Sequence, residues 1–206
     1  MDLNDLFKTV MSGGVADQIG NIAGVNNPEQ AESAVGSIFS SILGGIQKNV
    51  ATPEGAESLN KALERDHDGS ILDNLSGLLG GVFKPENANA TNGVGILGHV
   101  FGNNQGNVAQ AVSQQTGIDT GKIMNMMVMI APLVMGMLGK AKQTTGMDAG
   151  GLVNILGSVM GGKAGSNPIM GVLTGILDKD GDGNVMDDLM GGGIGNLLGG
   201  LFGGKK

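Results

Sequence analysis

A phrase of thirteen residues occurs twice in this chain, and a duplicated phrase implies a duplicated piece of architecture. Leu-Glu-Arg-Asp-His-Asp-Gly-Ser-Ile-Leu-Asp-Asn-Leu at 63–75 returns as Leu-Asp-Lys-Asp-Gly-Asp-Gly-Asn-Val-Met-Asp-Asp-Leu at 177–189. Six positions are identical: Leu63, Asp66, Asp68, Gly69, Asp73 and Leu75 against Leu177, Asp180, Asp182, Gly183, Asp187 and Leu189. The pairs Ser70/Asn184, Ile71/Val185, Leu72/Met186 and Arg65/Lys179 are conservative.

Helix punctuation surrounds both copies. Asp2 can cap a first helix that buries Leu3, Leu6, Phe7 and Val10, and Val15, Ile19 and Ile22 make a second short face that stops at Gly24. Asn27-Pro28-Glu29-Gln30 reads as a cap, a proline at the first helical position and a capping-box Gln. The long helix it starts turns Val35, Ile38, Phe39, Ile42 and Leu43 inward. Thr52-Pro53-Glu54 repeats the device before the first acidic loop. No stretch alternates with period two, so the predicted fold is all-α and multi-helical.

The order of parts then recurs. After a linker at 84–92, residues 108–116 followed by Gly117-Ile118 match 15–23 followed by Gly24-Val25. The apolar helix around Met124 to Leu138 answers the one around Ala31 to Ile46, with Ile38/Ile130, Gly44/Gly136 and Ile46/Leu138 at one offset. Pro132 inside it removes a backbone donor and predicts a kink. Asp148 caps a further helix, and Asn167-Pro168 starts the one that enters the second loop. The expected organisation is two related helical halves, 1–83 with acidic loop 64–75 and 93–190 with acidic loop 178–189. A Gly-rich tail follows at 191–206.

Composition narrows the core and the function. Forty Gly, no Trp, no Tyr and five Phe leave Leu, Ile, Val, Ala and 13 Met to fill the interior. Each Gly in a helix costs about 1 kcal/mol relative to Ala. Marginal stability follows, with a protein partner or self-association expected to help. The net charge of −7 and scattered basic residues offer no phosphate-neutralising face, and bases would find few aromatics to stack on. Nucleic acid is therefore not expected as a partner. Without Cys there is no disulfide, thiolate metal site or cysteine nucleophile. The N-terminus has no secretion-signal pattern. The longest apolar stretch, 126–138, falls short of the roughly 20 residues that span a bilayer. A soluble cytoplasmic protein is the expectation.

Only the acidic loops look built for chemistry. A calcium loop brings side chains from positions 1, 3 and 5 together, turns at a Gly in position 6, and adds a carbonyl at 7 and a carboxylate at 12. The second copy supplies Asp178, Asp180, Asp182, Gly183 and the Asn184 carbonyl. Its position 12 is Leu189, so Asp187 would have to swing in as the last ligand. The competing reading is a pair of capped helix junctions, Ser70 with Asp73 and Asn184 with Asp187. Capping does not explain three alternating carboxylates that repel one another without a cation. A weak calcium site is therefore expected in the second copy alone, on Asp178, Asp180, Asp182, Asn184 and Asp187. The first copy has Glu64 at position 1, His67 beside the ligands and Leu75 at position 12.

Other motifs carry less. Residues 157–164 nearly spell a phosphate-binding loop, but Ala164 stands where Ser or Thr would hold magnesium. Gly93, Gly95 and Gly98 match a dinucleotide fingerprint by letters alone. His99 reads as a histidine on a helix flank, and the Met-rich 123–137 segment as core. Nothing marks a nucleophile, and no enzyme is expected.

The phrases at 177–189 and 66–73, with Gly-Ile-Leu-Gly-His-Val-Phe-Gly at 95–102, together resemble bacterial domain-of-unknown-function family 937, with YidB-like helical proteins as distant relatives. The resemblance covers most of the chain and implies an all-helical bacterial protein. It supplies no activity and no catalytic residues. The expected function is a non-enzymatic interaction or structural role. The alternative is a peripheral membrane-associated or self-assembling protein that uses the Gly-rich helices at the membrane surface.

Overall fold

The computed structural model of the protein describes residues 14–75, 77, 80 and 88–161. The helix expected after Asp2, linker residues 84–87, the helix from Asn167-Pro168 and the tail at 191–206 lie outside the described residues. So does the whole second acidic loop, with Asp178, Asp180, Asp182, Asn184 and Asp187. Among the described residues every regular element is a helix, and the protein is all-α.

Helix α1, Val15–Ile22, buries Val15, Ala16 and Ile19, and the chain turns at Gly24 (φ 78°). Val25 is buried as it leads into α2, Pro28–Asn49. Pro28 occupies the first turn, where its missing N–H costs no hydrogen bond, and the Asn27 carboxamide oxygen accepts from the Gln30 N–H at 3.1 Å. The Gln30 side chain was expected to close a capping box. Instead its Nε2 donates to the Thr116 carbonyl at 3.4 Å. Ala31, Ala34, Val35, Ile38, Ile42, Leu43 and Ile46 make the buried stripe of α2. Each fully buried Ile or Leu there contributes about 1.5–3 kcal/mol.

Helix α3, Pro53–Arg65, starts with Thr52 Oγ1 accepting from the Gly55 N–H at 3.1 Å. A short 3-10 turn, Ser70–Asn74, follows, and another, Ala88–Thr91, lies in the expected linker. Helix α4, Gly93–Phe101, is capped by Asn92, whose oxygen accepts from the Gly95 N–H at 2.9 Å. The glycines of the supposed dinucleotide fingerprint belong to this helix. After the 3-10 turn Gly102–Asn104 comes α5, Gln105–Thr116, closed by Gly117 (φ 72°).

Helix α6, Thr120–Thr145, begins where the Asp119 carboxylate accepts from the N–H groups of Gly121 and Lys122, at 2.9 and 3.2 Å. It extends well past the apolar stretch 126–138 at both ends and continues on both sides of the buried Pro132. By length and composition it could cross a membrane, but 67% of its most apolar window is buried within the protein. Helix α7, Ala149–Gly161, is capped by Asp148, which accepts from the Gly151 N–H at 2.9 Å.

The α1–α2 and α5–α6 pairs are built alike: a short helix, a left-handed Gly, a buried Val25 or Ile118, then a capped long helix. They also exchange matching contacts. The Gln30 bond to Thr116 has its counterpart in Lys122 Nζ, which donates to the Gly24 carbonyl at 2.6 Å. Helix α6 packs on α2, α4 and α5, while α7 lies against α2 and α3. One hydrophobic cluster draws on helices from both sides of the linker. Met126, Met127 and Met137 are fully buried in it, filling irregular gaps as a flexible thioether can.

Candidate functional site

Helix α3 ends as the N–H groups of Asp66 and His67 both reach back to the Ala62 carbonyl, at 2.9 and 3.1 Å. Gly69 then takes φ 93°, a conformation open to Gly but strained for other residues. The Asp68 carboxylate accepts from the Ser70 N–H at 3.0 Å. The expected Ser70–Asp73 cap is therefore replaced. Gly69, not Ser70, occupies the cap position, and the orphan N–H is met by an acid two residues earlier.

This junction is seated on α6. A methyl group at Gly139 would collide with the His67 carbonyl, and one at Gly136 would collide with Ile71. At Gly69 it would lie 2.9 Å from the Lys140 backbone nitrogen. Two ion pairs bracket the seat, Glu64 with Lys142 at 2.5 Å and Asp73 with Lys140 at 3.6 Å. Contacts this exposed contribute little each.

Read as a calcium loop, the first copy would bring Glu64, Asp66 and Asp68 together. The structure gives each its own protein partner. The hydrogen bond and charge of Lys142 hold the Glu64 carboxyl below its ordinary range. Asp66 pairs with Arg65 at 2.9 Å, and hydrogen bonds from Ser70 lower Asp68. Among the described residues no three acidic or imidazole groups gather as a metal site.

Beside the junction lies a cleft of about 550 Å³ between the C-terminal end of α2, α3 and α4. Its apolar lining includes Ile46, Val50, Leu59, Ile96, Val100 and, from α6, Met135. The polar lining includes Asn49, Asn89, Asn92, the Arg65–Asp66 pair and both histidines of the chain. Asn49 Nδ2 donates to the carbonyls of His99 and Val100 at 3.0 and 3.3 Å, tying α2 to the end of α4. Ser58 also lines the cleft, and its hydroxyl donates to the Glu54 carbonyl one turn back, at 2.7 Å.

His67 is the unusual group in this lining. Only 7% of it is exposed, and its Nδ1 is buried with no hydrogen-bond partner among the described residues. Burial pushes its pKa below the ordinary value, against the opposing pull of Asp66 and Asp68. The imidazole is therefore neutral at pH 7. Native structures rarely leave a buried polar atom unmet without a reason. Sequence reasoning attached His67 only to the acidic loop. His99 lies on α4 as expected, exposed, with its ring in the cleft lining.

The family described as bacterial protein of unknown function (DUF937) matches residues 5–143. The chain belongs to that family. The family match takes in the first acidic loop, the cleft and nearly all of α6, and it ends before the second acidic loop. Comparison with curated proteins and with solved structures returns no match.

Proposed function

We propose that the protein is a non-enzymatic interaction or structural protein that works by binding, and that the cleft between α2, α3 and α4 is where it binds. The observation that carries this reading is His67, a buried polar side chain with an unmet nitrogen in the lining of a cleft of about 550 Å³. That volume lies within the roughly 300–1,000 Å³ of small-ligand sites, and a mostly apolar lining with few polar groups is their usual composition. Isopropanol, a general probe of binding clefts, tests it on the full chain by methyl NMR. Saturable shifts confined to Leu59, Ile96, Val100 and Met135, abolished by a cleft-filling Leu59→Trp, are the expected result. Shifts scattered over the surface, or none at these methyls, would overturn it.

The same reading includes a weak calcium site in the second acidic loop, on Asp178, Asp180, Asp182, Asn184 and Asp187. Its support is the alternation of three carboxylates, which a cation would relieve of mutual repulsion. In the first copy each acid has a protein partner, and two of those partners, Lys142 and Asn89, lie outside the loop. Calorimetry with calcium and with magnesium decides the point. Binding heat and a raised Tm, both lost in Asp180→Ala, are expected; no heat and no shift in Tm would remove the metal.

A further inference from the structure

We propose that the cleft takes a small, uncharged ligand with an apolar body and one hydrogen-bonding group, of the alcohol, phenol or amide class, whose polar group pairs with His67 Nδ1. The inference rests on the cleft being a binding site and adds what kind of molecule fits it.

Charge is the first constraint. The only formally charged side chains in the described lining are Arg65 and Asp66, and they pair with each other at 2.9 Å. An ionic ligand would leave water for a lining with no net charge to receive it, which is unfavourable. The apolar side chains Leu59, Ile96, Val100 and Met135 instead favour a hydrocarbon or aromatic body.

His67 supplies the second constraint. A purely apolar ligand would seal the cleft and leave Nδ1 unmet. A ligand bearing a hydroxyl or amide supplies the missing partner. The neutral imidazole has one nitrogen that accepts and one that donates, so either kind of polar group can be matched. His67 is also held firmly. Its N–H is bonded to the Ala62 carbonyl, and its own carbonyl presses on Gly139 of α6. A ligand meeting it would find a group already oriented.

Phenol and toluene separate the possibilities, because they share a body and differ in one hydroxyl. Each is titrated into the full-length protein at pH 7.5, with methyl NMR at Leu59, Ile96 and Met135 and the side-chain 15N resonances of His67 as readouts. Phenol should bind roughly three- to tenfold more tightly than toluene, the effect of one buried hydrogen bond. It should also move the Nδ1 resonance. His67→Phe should erase the preference, while His67→Gln should retain part of it. Equal binding of the two probes at these methyls, or an unmoved Nδ1 resonance at phenol saturation, would overturn the ligand class and leave the cleft as a binding site. Silence from both probes at these methyls would overturn the site as well. The Nδ1 reading uses the unaltered protein, so a variant that fails to fold does not decide the outcome.

Discussion

At position 139 a single hydrogen atom separates α6 from the His67 carbonyl, whereas at Gly98 an added methyl would meet nothing within 4 Å. These two helical glycines therefore predict opposite outcomes for one substitution. Gly98→Ala should stabilise the protein by about 0.5–1 kcal/mol, because Ala loses less chain entropy in a helix. Gly139→Ala gains the same propensity but must push the acidic junction off α6, and should destabilise by about 1–3 kcal/mol net. Thermal melts of both variants check the pair. His67 adds a pH dependence. Its folded pKa is depressed from 6.5 by burial, so the unfolded chain binds more protons as the pH falls through and below that value. Stability is then fully present above about 6.5 and declines below it. Asp68 and Glu64, also depressed, add a further loss at more acidic pH as their carboxyls protonate. Melts from pH 7.5 to 5 should show a falling Tm, and His67→Phe should flatten that part of the curve. An unchanged slope would mean His67 is not the group responsible. Little of this was legible in the sequence. Asp66 and Asp68 on either side make His67 look solvated, and the surface that buries it belongs to a helix far along the chain.

Local chemistry made the elements far more readable. Asn27-Pro28, Thr52-Pro53 and Asp148 all begin helices, because a cap is decided by a side chain and the N–H groups within three residues of it. The left-handed Gly24 and Gly117 fall where the repeated order of parts placed helix ends. Readability failed where a residue had a distant alternative. Gln30 carries the letter of a capping box, yet its side chain is drawn to the exposed carbonyl of Thr116 at the end of α5. Lys122, with no such expectation attached, does the matching job at Gly24. The acid at 119 should be the most consequential of these caps, since it meets two N–H groups at the start of the longest described helix. Asp119→Ala should cost about 1 kcal/mol, read as a lower Tm or urea midpoint, while Asp119→Asn should recover most of it. No loss in the Ala variant would show that tertiary packing alone fixes the start of α6.

For the whole molecule, periodicity could suggest two related halves but not how they meet. Helix α2 lies against α4, α5, α6 and α7, and α3 lies against α6 and α7. Ile38, Ile42 and Leu43 from one side of the linker share a cluster with Ile123, Met126 and Ile130 from the other. A helix stripe in the sequence says which face is apolar and leaves open which helix covers it, since Leu and Met pack against any apolar neighbour. The arrangement predicts how the chain responds to being cut. If the core is shared, fragments 1–87 and 88–206 each expose the stripe that the other covers, and a domain of this size has little stability to spare. Made separately, each should show weak helical signal, poor dispersion of methyl resonances and no cooperative melt. Mixed, they should recover helicity and a single transition whose midpoint rises with concentration, because reassembly buries both stripes together. A cooperative melt from either fragment alone would show that its half carries a sufficient core of its own, and that the contacts across α2 and α6 join two domains instead of completing one.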